Sequence, residues 1–213
     1  MSLLIRHQLM HLSSPRVMAI INFSPDSFYT SCDVTCESAL LSHVEGALRS
    51  GADILDLGAC STRPHSQPID ATTEWQLLCK GLSIVRHHWP NVPLSVDTFR
   101  FEIAQQAISY GADMINDIWG LKYDADMKKV IAKAKVACCL MHNRNEIFTV
   151  KGDAGNPEQQ FVKTVLTEIA ESIDLAIEAG ISKDKIMIDP GIGFMKTYEQ
   201  NLCLIKNLSR MRE

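Results

Sequence analysis

Short β-branched or apolar runs recur along the chain, each closing on a polar residue and separated from the next by a longer stretch with helical spacing. Six such runs stand out: RVMAIIN (16–22), DILDLG (53–58), LSVDT (94–98), DMIND (113–117), VACCLMH (136–142) and IMIDPG (186–191). Between them lie ESALLSHVEGALRSG, EWQLLCKGLSIVRHHW, FEIAQQAISYG, ADMKKVIAKAK and the long EQQFVKTVLTEIAESIDLAIEAG. Gly51, Gly111 and Gly180 fall where a left-handed residue would end a helix. The triplet GAD follows two helical stretches, at 51–53 and 111–113, where a helix hands over to a strand.

Strands that are apolar on both faces and joined by helices belong to a parallel sheet. A doubly wound sheet and a (β/α)8 barrel both fit the rhythm. The barrel is expected, because polar residues close nearly every strand rather than clustering at one switch point, and no GxGxxG follows the first strand. The fold class is therefore α/β, a (β/α)8 TIM barrel of which this chain covers about the first six β/α units. Residues 1–213 are expected to form one domain, a length that suits one well-packed core.

Composition narrows the partners. Lys and Arg number 21 against 25 Asp and Glu, and the net charge of -4 gives no electrostatic reason to expect nucleic acid or an anionic membrane. Arg6 and His7 interrupt the apolar residues of the N-terminal stretch, and no later stretch approaches the roughly 20 apolar residues of a membrane span. A cytoplasmic protein is expected. The seven cysteines form no CxxC pair and no zinc-like cluster, so reduced thiols are the simplest reading.

The strand ends supply the candidate chemistry. Asn22, Asp56, Asp97, Asn116, Asp117, His142 and Asp189 would all stand on the C-terminal rim of a barrel. Carboxylates and amides at that density suit a flat heterocycle with several N–H groups and ring nitrogens, since each unpaired buried polar group costs about 1 to 3 kcal/mol. For Asp56 or Asp117 alone, capping of the following helix is an equal alternative. His142 reads more readily as a structural histidine than as a catalytic one. In CSTRP (60–64), Ser61, Thr62 and Arg63 place two hydroxyls and a guanidinium on one loop that Pro64 ends, a set suited to phosphate or carboxylate oxygens. In IDPGIGF (188–194), Gly191 and Gly193 would let the backbone approach a ligand closely.

These residues resemble one family, dihydropteroate synthase, within the wider group of pterin-binding barrels. NFSPDSF is similar to its first signature and DLGACSTRP to its second, and SVDT, IND, LMH and IDPGIGF follow in the family's order from about Met18 to Asn201. The resemblance implies condensation of 6-hydroxymethyl-7,8-dihydropterin pyrophosphate with p-aminobenzoate, with pyrophosphate released and Mg2+ as cofactor. It implies that the C–O bond to pyrophosphate breaks first and the aromatic amine attacks the resulting pterin cation, so that positioning and charge stabilisation matter more than a protein nucleophile.

Carried over by position, Asp97, Asn116 and Asp189 resemble the pterin contacts, and Asp97 would also stabilise the developing cation. Asn22 resembles the residue that meets the pyrophosphate and its Mg2+, as an oxygen ligand of the kind a hard cation prefers. Thr62 and Arg63 resemble pyrophosphate contacts; Phe28, Ser61 and Pro64 lie on the two loops that in the family close over p-aminobenzoate. Asp56, Met141 and Phe194 complete the expected substrate-binding set, and Asp97, Arg63 and Asn22 the catalytic one.

The chain departs from the family pattern at Ala59 and Cys60, where Gly and Glu are usual, at Met195, where Gly is usual, and at MHNR in place of MHMQG. The family's seventh and eighth strands, with a Ser-Arg-Lys motif and an Arg-x-His pair, have no counterpart in these residues. Six strands alone would leave the first and last as unprotected edges. A pterin-binding module without turnover is therefore the alternative to the enzyme, and a methyltetrahydrofolate-dependent methyltransferase a further one that CSTRP argues against. The homodimers of the family use outer helices near the C-terminus, so a homodimer is implied by the resemblance alone.

Overall fold

In the fold, a computed structural model describing residues 2–23, 37–60, 69–145 and 157–212, the six expected runs form one parallel sheet. Its strands are β3 (Met18–Asn22), β4 (Ile54–Gly58), β5 (Leu94–Asp97), β6 (Met114–Asp117), β7 (Ala137–Met141) and β8 (Ile186–Asp189), with β1 and β2 forming a separate hairpin before them. Each strand pairs with its successor, in the order β3-β4-β5-β6-β7-β8. A doubly wound sheet must reverse that order somewhere; uninterrupted succession is the winding of a (β/α) barrel. The intervening helices are α1 (Glu37–Arg49), α2 (Ala71–His88), α3 (Phe101–Ser109), α4 (Met127–Ala134), α5 (Pro157–Glu178) and α6 (Tyr198–Lys206).

Four of the six strands start one or two residues into their apolar runs, and at two strand pairs a GAD aspartate holds a strand start. Asp53 accepts the backbone N–H of Val17 at 2.9 Å and pairs with Arg16 at 2.9 Å. Asp113 repeats the device one strand pair along, accepting the N–H of Leu94 at 3.0 Å and pairing with Arg86 at 2.7 Å. Each carboxylate thus satisfies a strand-start donor that the ladder does not reach. Gly51, Gly111 and Gly180 adopt positive φ, as expected of helix ends.

Alternation along the strands divides the core in two. Ile21, Leu55, Leu57, Leu94, Val96, Ile115, Cys138 and Leu140 face outward and pack with Leu40, Leu78, Leu82, Ile103 and Ile131 of the helices. Ile54, Met114, Ala137, Cys139 and Met187 face inward and form a second cluster.

That inner cluster includes Leu3 and Ile5, which belong to an element the sequence reading passed over. Residues Ser2–Ile5 (β1) and Gln8–His11 (β2) form an antiparallel hairpin. It lies across the N-terminal end of the sheet, and Arg6 at its tip donates to the Pro90 carbonyl. Arg6 and His7 turn the chain at φ 51° and 59°. The favoured two-residue hairpin turn needs two positive φ values and normally announces itself as Asn-Gly or Asp-Gly; Arg-His carries no such signal.

Candidate active site

The inward positions at the C-terminal strand ends lie in adjacent rows. Asn22 is in register with Gly58, Gly58 with Asp97, and Asp97 with Asn116. Met141 and Asp189 pair in the next row. Asp56 stands one row below, opposite Ile20 and Ser95. A side chain at Gly58 would lie 3.5 Å from Asp97 Oδ2, so the glycine leaves a hollow between Asn22 and Asp97. The structure therefore brings Asn22, Asp56, Asp97, Asn116, Met141 and Asp189 to one end of the sheet, as the sequence reading expects.

Their electrostatics follow from crowding. Asp56 is 4% exposed, and its Oδ2 accepts the Asn116 amide N–H at 2.9 Å. Its other oxygen is buried without a hydrogen-bond partner among the described residues. Burial raises the Asp56 carboxyl above the usual range, with the hydrogen bonds opposing it. Asp97 is raised well above that range by burial first, and then by the negative charges of Asp56, Glu74 and Asp117.

Beside these polar groups is an apolar wall of Cys60, Phe99, Ile118 and Met141, against which Phe194 and Trp119 pack. Cys60 is 6% exposed and burial raises its thiol, so the position where the family has a carboxylate is here a neutral apolar contact.

A brace holds one flank of the site. Glu74 of α2 is fully buried; it accepts the Thr98 hydroxyl at 2.7 Å and pairs with Arg100. Arg100 also donates to the carbonyl of Ile69 at 2.8 Å. Ile69, just ahead of α2, is thereby tied to the segment that follows Asp97. Neither Glu74 nor Arg100 was among the residues expected from the sequence.

Two rim residues belong elsewhere. Asp117 faces outward, 2% exposed, and accepts the N–H groups of Trp119 at 2.9 Å and Leu121 at 2.8 Å, so it caps the turn after β6 and not the following helix, which starts only at Met127. Burial pushes its carboxyl up to about 6. His142 is 5% exposed, with Nε2 2.9 Å from Glu168 Oε2 of α5. Burial, then Lys196, lowers it to about 4 and keeps the imidazole neutral, with Nε2 turned to α5. Phe194 lies in the turn after β8, whereas Phe28, Ser61, Thr62, Arg63 and Pro64 lie outside the described residues, as do Cys32 and Cys36. The five cysteines within the described residues are free thiols.

Met195, where the family has glycine, adopts φ 46°. Arg144, in the MHNR departure, pairs with Glu168, the partner of His142. The ammonium of Lys196 sits among backbone carbonyls of the strand-end loops and was also missed; a lone lysine between GIGFM and the helix cap Thr197 was the available signal.

Among the described residues no group of three or more His, Cys, Asp or Glu could hold a metal ion. Asn22 offers a single neutral oxygen at the rim. That donor set fits a small hard cation that keeps its waters and takes most of its other ligands from a substrate phosphate. No helix of the described residues is long and apolar enough to cross a membrane.

A parallel sheet wound as a barrel, gathering carboxylates, an amide and an apolar wall at its C-terminal end, defines a (β/α)-barrel protein that binds a small molecule. The family model described as pterin binding enzyme matches residues 18–213, and the chain belongs to that family. It is 40% identical over 198 residues to the dihydropteroate synthase of Clostridium beijerinckii, covering 92% of this chain and 70% of the relative. The crystal structure of a Coxiella burnetii dihydropteroate synthase in complex with pteroic acid is 35% identical, with a TM-score of 0.85 over 99% of this chain and 74% of that one. The Xanthomonas albilineans dihydropteroate synthase solved with 4-aminobenzoic acid gives 31% identity and a TM-score of 0.85, over 99% of this chain and 73% of that one.

Proposed function

We propose that this protein acts as a dihydropteroate synthase, joining 6-hydroxymethyl-7,8-dihydropterin pyrophosphate to p-aminobenzoate with release of pyrophosphate. The observation that carries the reading is the convergence of Asp97, Asn116 and Asp189 at the strand ends, over Asp56 and beside the Met141 and Phe194 wall. Carboxylates accept from the pterin's N–H groups, the Asn116 amide meets its ring edge, and the apolar wall covers its face.

Asp97 has a further part to play. Its carboxyl is disfavoured as an anion by burial and by three acidic neighbours. A positive charge developing on the pterin as the C–O bond breaks reverses that penalty, so the carboxylate stabilises the cation more than the ground state. Asn22 is assigned to the pyrophosphate and to Mg2+, whose contribution when bound is to neutralise phosphate charge. Arg63 and Thr62 are assigned to the phosphate oxygens, and Phe28, Ser61 and Pro64 to the p-aminobenzoate side, on the strength of the sequence motifs alone. The absence of a nucleophile requirement leaves positioning as the main task of the protein.

The test supplies the protein with both substrates and Mg2+ and follows pyrophosphate release beside Asp97→Asn. Release that the variant lowers by about 100-fold supports the assignment. Pterin binding without release would make the protein a binding module instead, and no pterin binding would defeat both readings.

A further inference from the structure

Lys196 lies in the turn between β8 and α6, and its ammonium is ringed by backbone oxygens. It donates to Gly191 O at 2.8 Å, Phe194 O at 2.9 Å and His142 O at 3.2 Å. An ammonium has three N–H donors, and here all of them are engaged. The acceptors come from two strand-end segments, the one after β7 and the one after β8.

The same knot contains two residues of the site. Asp189 Oδ1 accepts Gly191 N–H at 2.7 Å, and the Asp189 carbonyl accepts His142 N–H at 2.9 Å. Phe194 N–H returns to Gly191 O at 3.2 Å. Gly191, at φ 69°, passes so close beneath His142 that any side chain would collide with the His142 carbonyl and come within 3.0 Å of Lys196 Nζ. Converging carbonyl dipoles repel one another, and a cation at their centre is what holds them together.

We propose that Lys196 is a positioning residue, its ammonium clamping the strand-end segments of β7 and β8 so that Asp189 and Phe194 stand at the spacing a pterin requires. The proposal deepens the reading of the site given above and rests on it. The charged groups around the ammonium are Asp189 of β8 and Glu168 of α5, which favour it, and Arg144 after β7, which opposes it; α6 contributes the neutral Asn201, bonded to the Lys196 carbonyl. His142, neutral near pH 7, contributes its carbonyl. Burial is the largest influence and brings the ammonium down to about 8, so the clamp is charged at neutral pH and discharges in the mildly alkaline range.

The test compares the native protein with Lys196→Met and Lys196→Arg. Hydrogen exchange without ligand follows the amides of His142, Gly191 and Phe194, and a fluorescence titration with 6-hydroxymethylpterin gives affinity. In Lys196→Met those amides exchange faster while the amides of β4 and β5 do not change, and pterin affinity falls about tenfold. Lys196→Arg, which keeps charge and donors, recovers most of the affinity. Native affinity declines more steeply than that of Lys196→Arg as pH rises through about 8, because a guanidinium does not deprotonate there, while the loss of the pterin's own ring proton is common to both. Unchanged exchange in Lys196→Met overturns the clamp whatever the protein binds, as does an alkaline decline equally steep in Lys196→Arg. Faster exchange at those amides in a protein that binds no pterin would uphold the clamp and defeat the pterin reading. Should Lys196→Met fail to fold, the pH profiles of the native protein and Lys196→Arg decide alone.

Discussion

Asn116 of β6 donates its side-chain N–H to Asp56 of β4 at 2.9 Å, reaching across β5 beneath the Asp97 carboxyl. The bond fixes which end of the Asn116 amide points down, so its oxygen is left as the acceptor toward the mouth of the barrel. Asp56→Ala removes that orientation and should weaken pterin binding by about tenfold with little change in p-aminobenzoate KM. A pterin titration and substrate kinetics check it, and an unchanged pterin affinity would rule the orienting role out.

The Glu74–Arg100 brace yields a stability prediction. Arg100→Met leaves a fully buried carboxylate facing only the Thr98 hydroxyl and should lower stability by about 3 kcal/mol. The double variant with Glu74→Gln should regain a good part of that loss, because the uncompensated charge is gone. Urea unfolding midpoints of the two variants measure the difference.

Asp117 makes stability depend on pH. Its native carboxyl titrates near 6, above the ordinary 3.8, so the native state holds its proton more tightly than the unfolded chain does. Its stabilising contribution is present below about pH 4 and is lost as pH rises through 6, a change of about 3 kcal/mol from this group. In Asp117→Asn the decline between these pH values should shrink by that amount, the shares of Asp56 and Asp97 remaining. Denaturant titrations across that range would show equal slopes in both proteins if the residue has no such effect.

Met195 offers a gain rather than a loss. An L-residue in the left-handed region is strained by about 1 to 2 kcal/mol, which glycine avoids at some cost in chain entropy. Met195→Gly should therefore raise stability by up to about 1 kcal/mol, and Met195→Ala should not. Thermal unfolding of the pair provides the comparison.

What could be read ahead of the structure was whatever repeats. The six runs ending in Asn22, Gly58, Thr98, Asp117, His142 and Gly191 carry period and punctuation, and they pointed to the parallel sheet and to one end of it as the candidate site. Parity was harder to read: Asn116 and Asp117 are neighbours, but a strand turns successive side chains to opposite faces, so one joins the site and the other caps a turn. Single residues whose partners are distant in sequence left no local trace. Arg100 meets Glu74 across 26 positions, and Lys196 meets the His142 carbonyl across 54. The hairpin went unread because Arg6 and His7 do the work usually assigned to asparagine and glycine.

The hairpin has a consequence for the order of assembly. Every strand of the sheet pairs with the next one along, so the sheet can grow by short loops as the chain is made. Leu3 and Ile5 instead pack on Ala137 and Cys139, and that contact cannot form until β7 is in place. The hairpin pairs within itself at once, but the part of its packing that faces β7 has to wait for that strand, so the two halves of the sheet share one apolar floor.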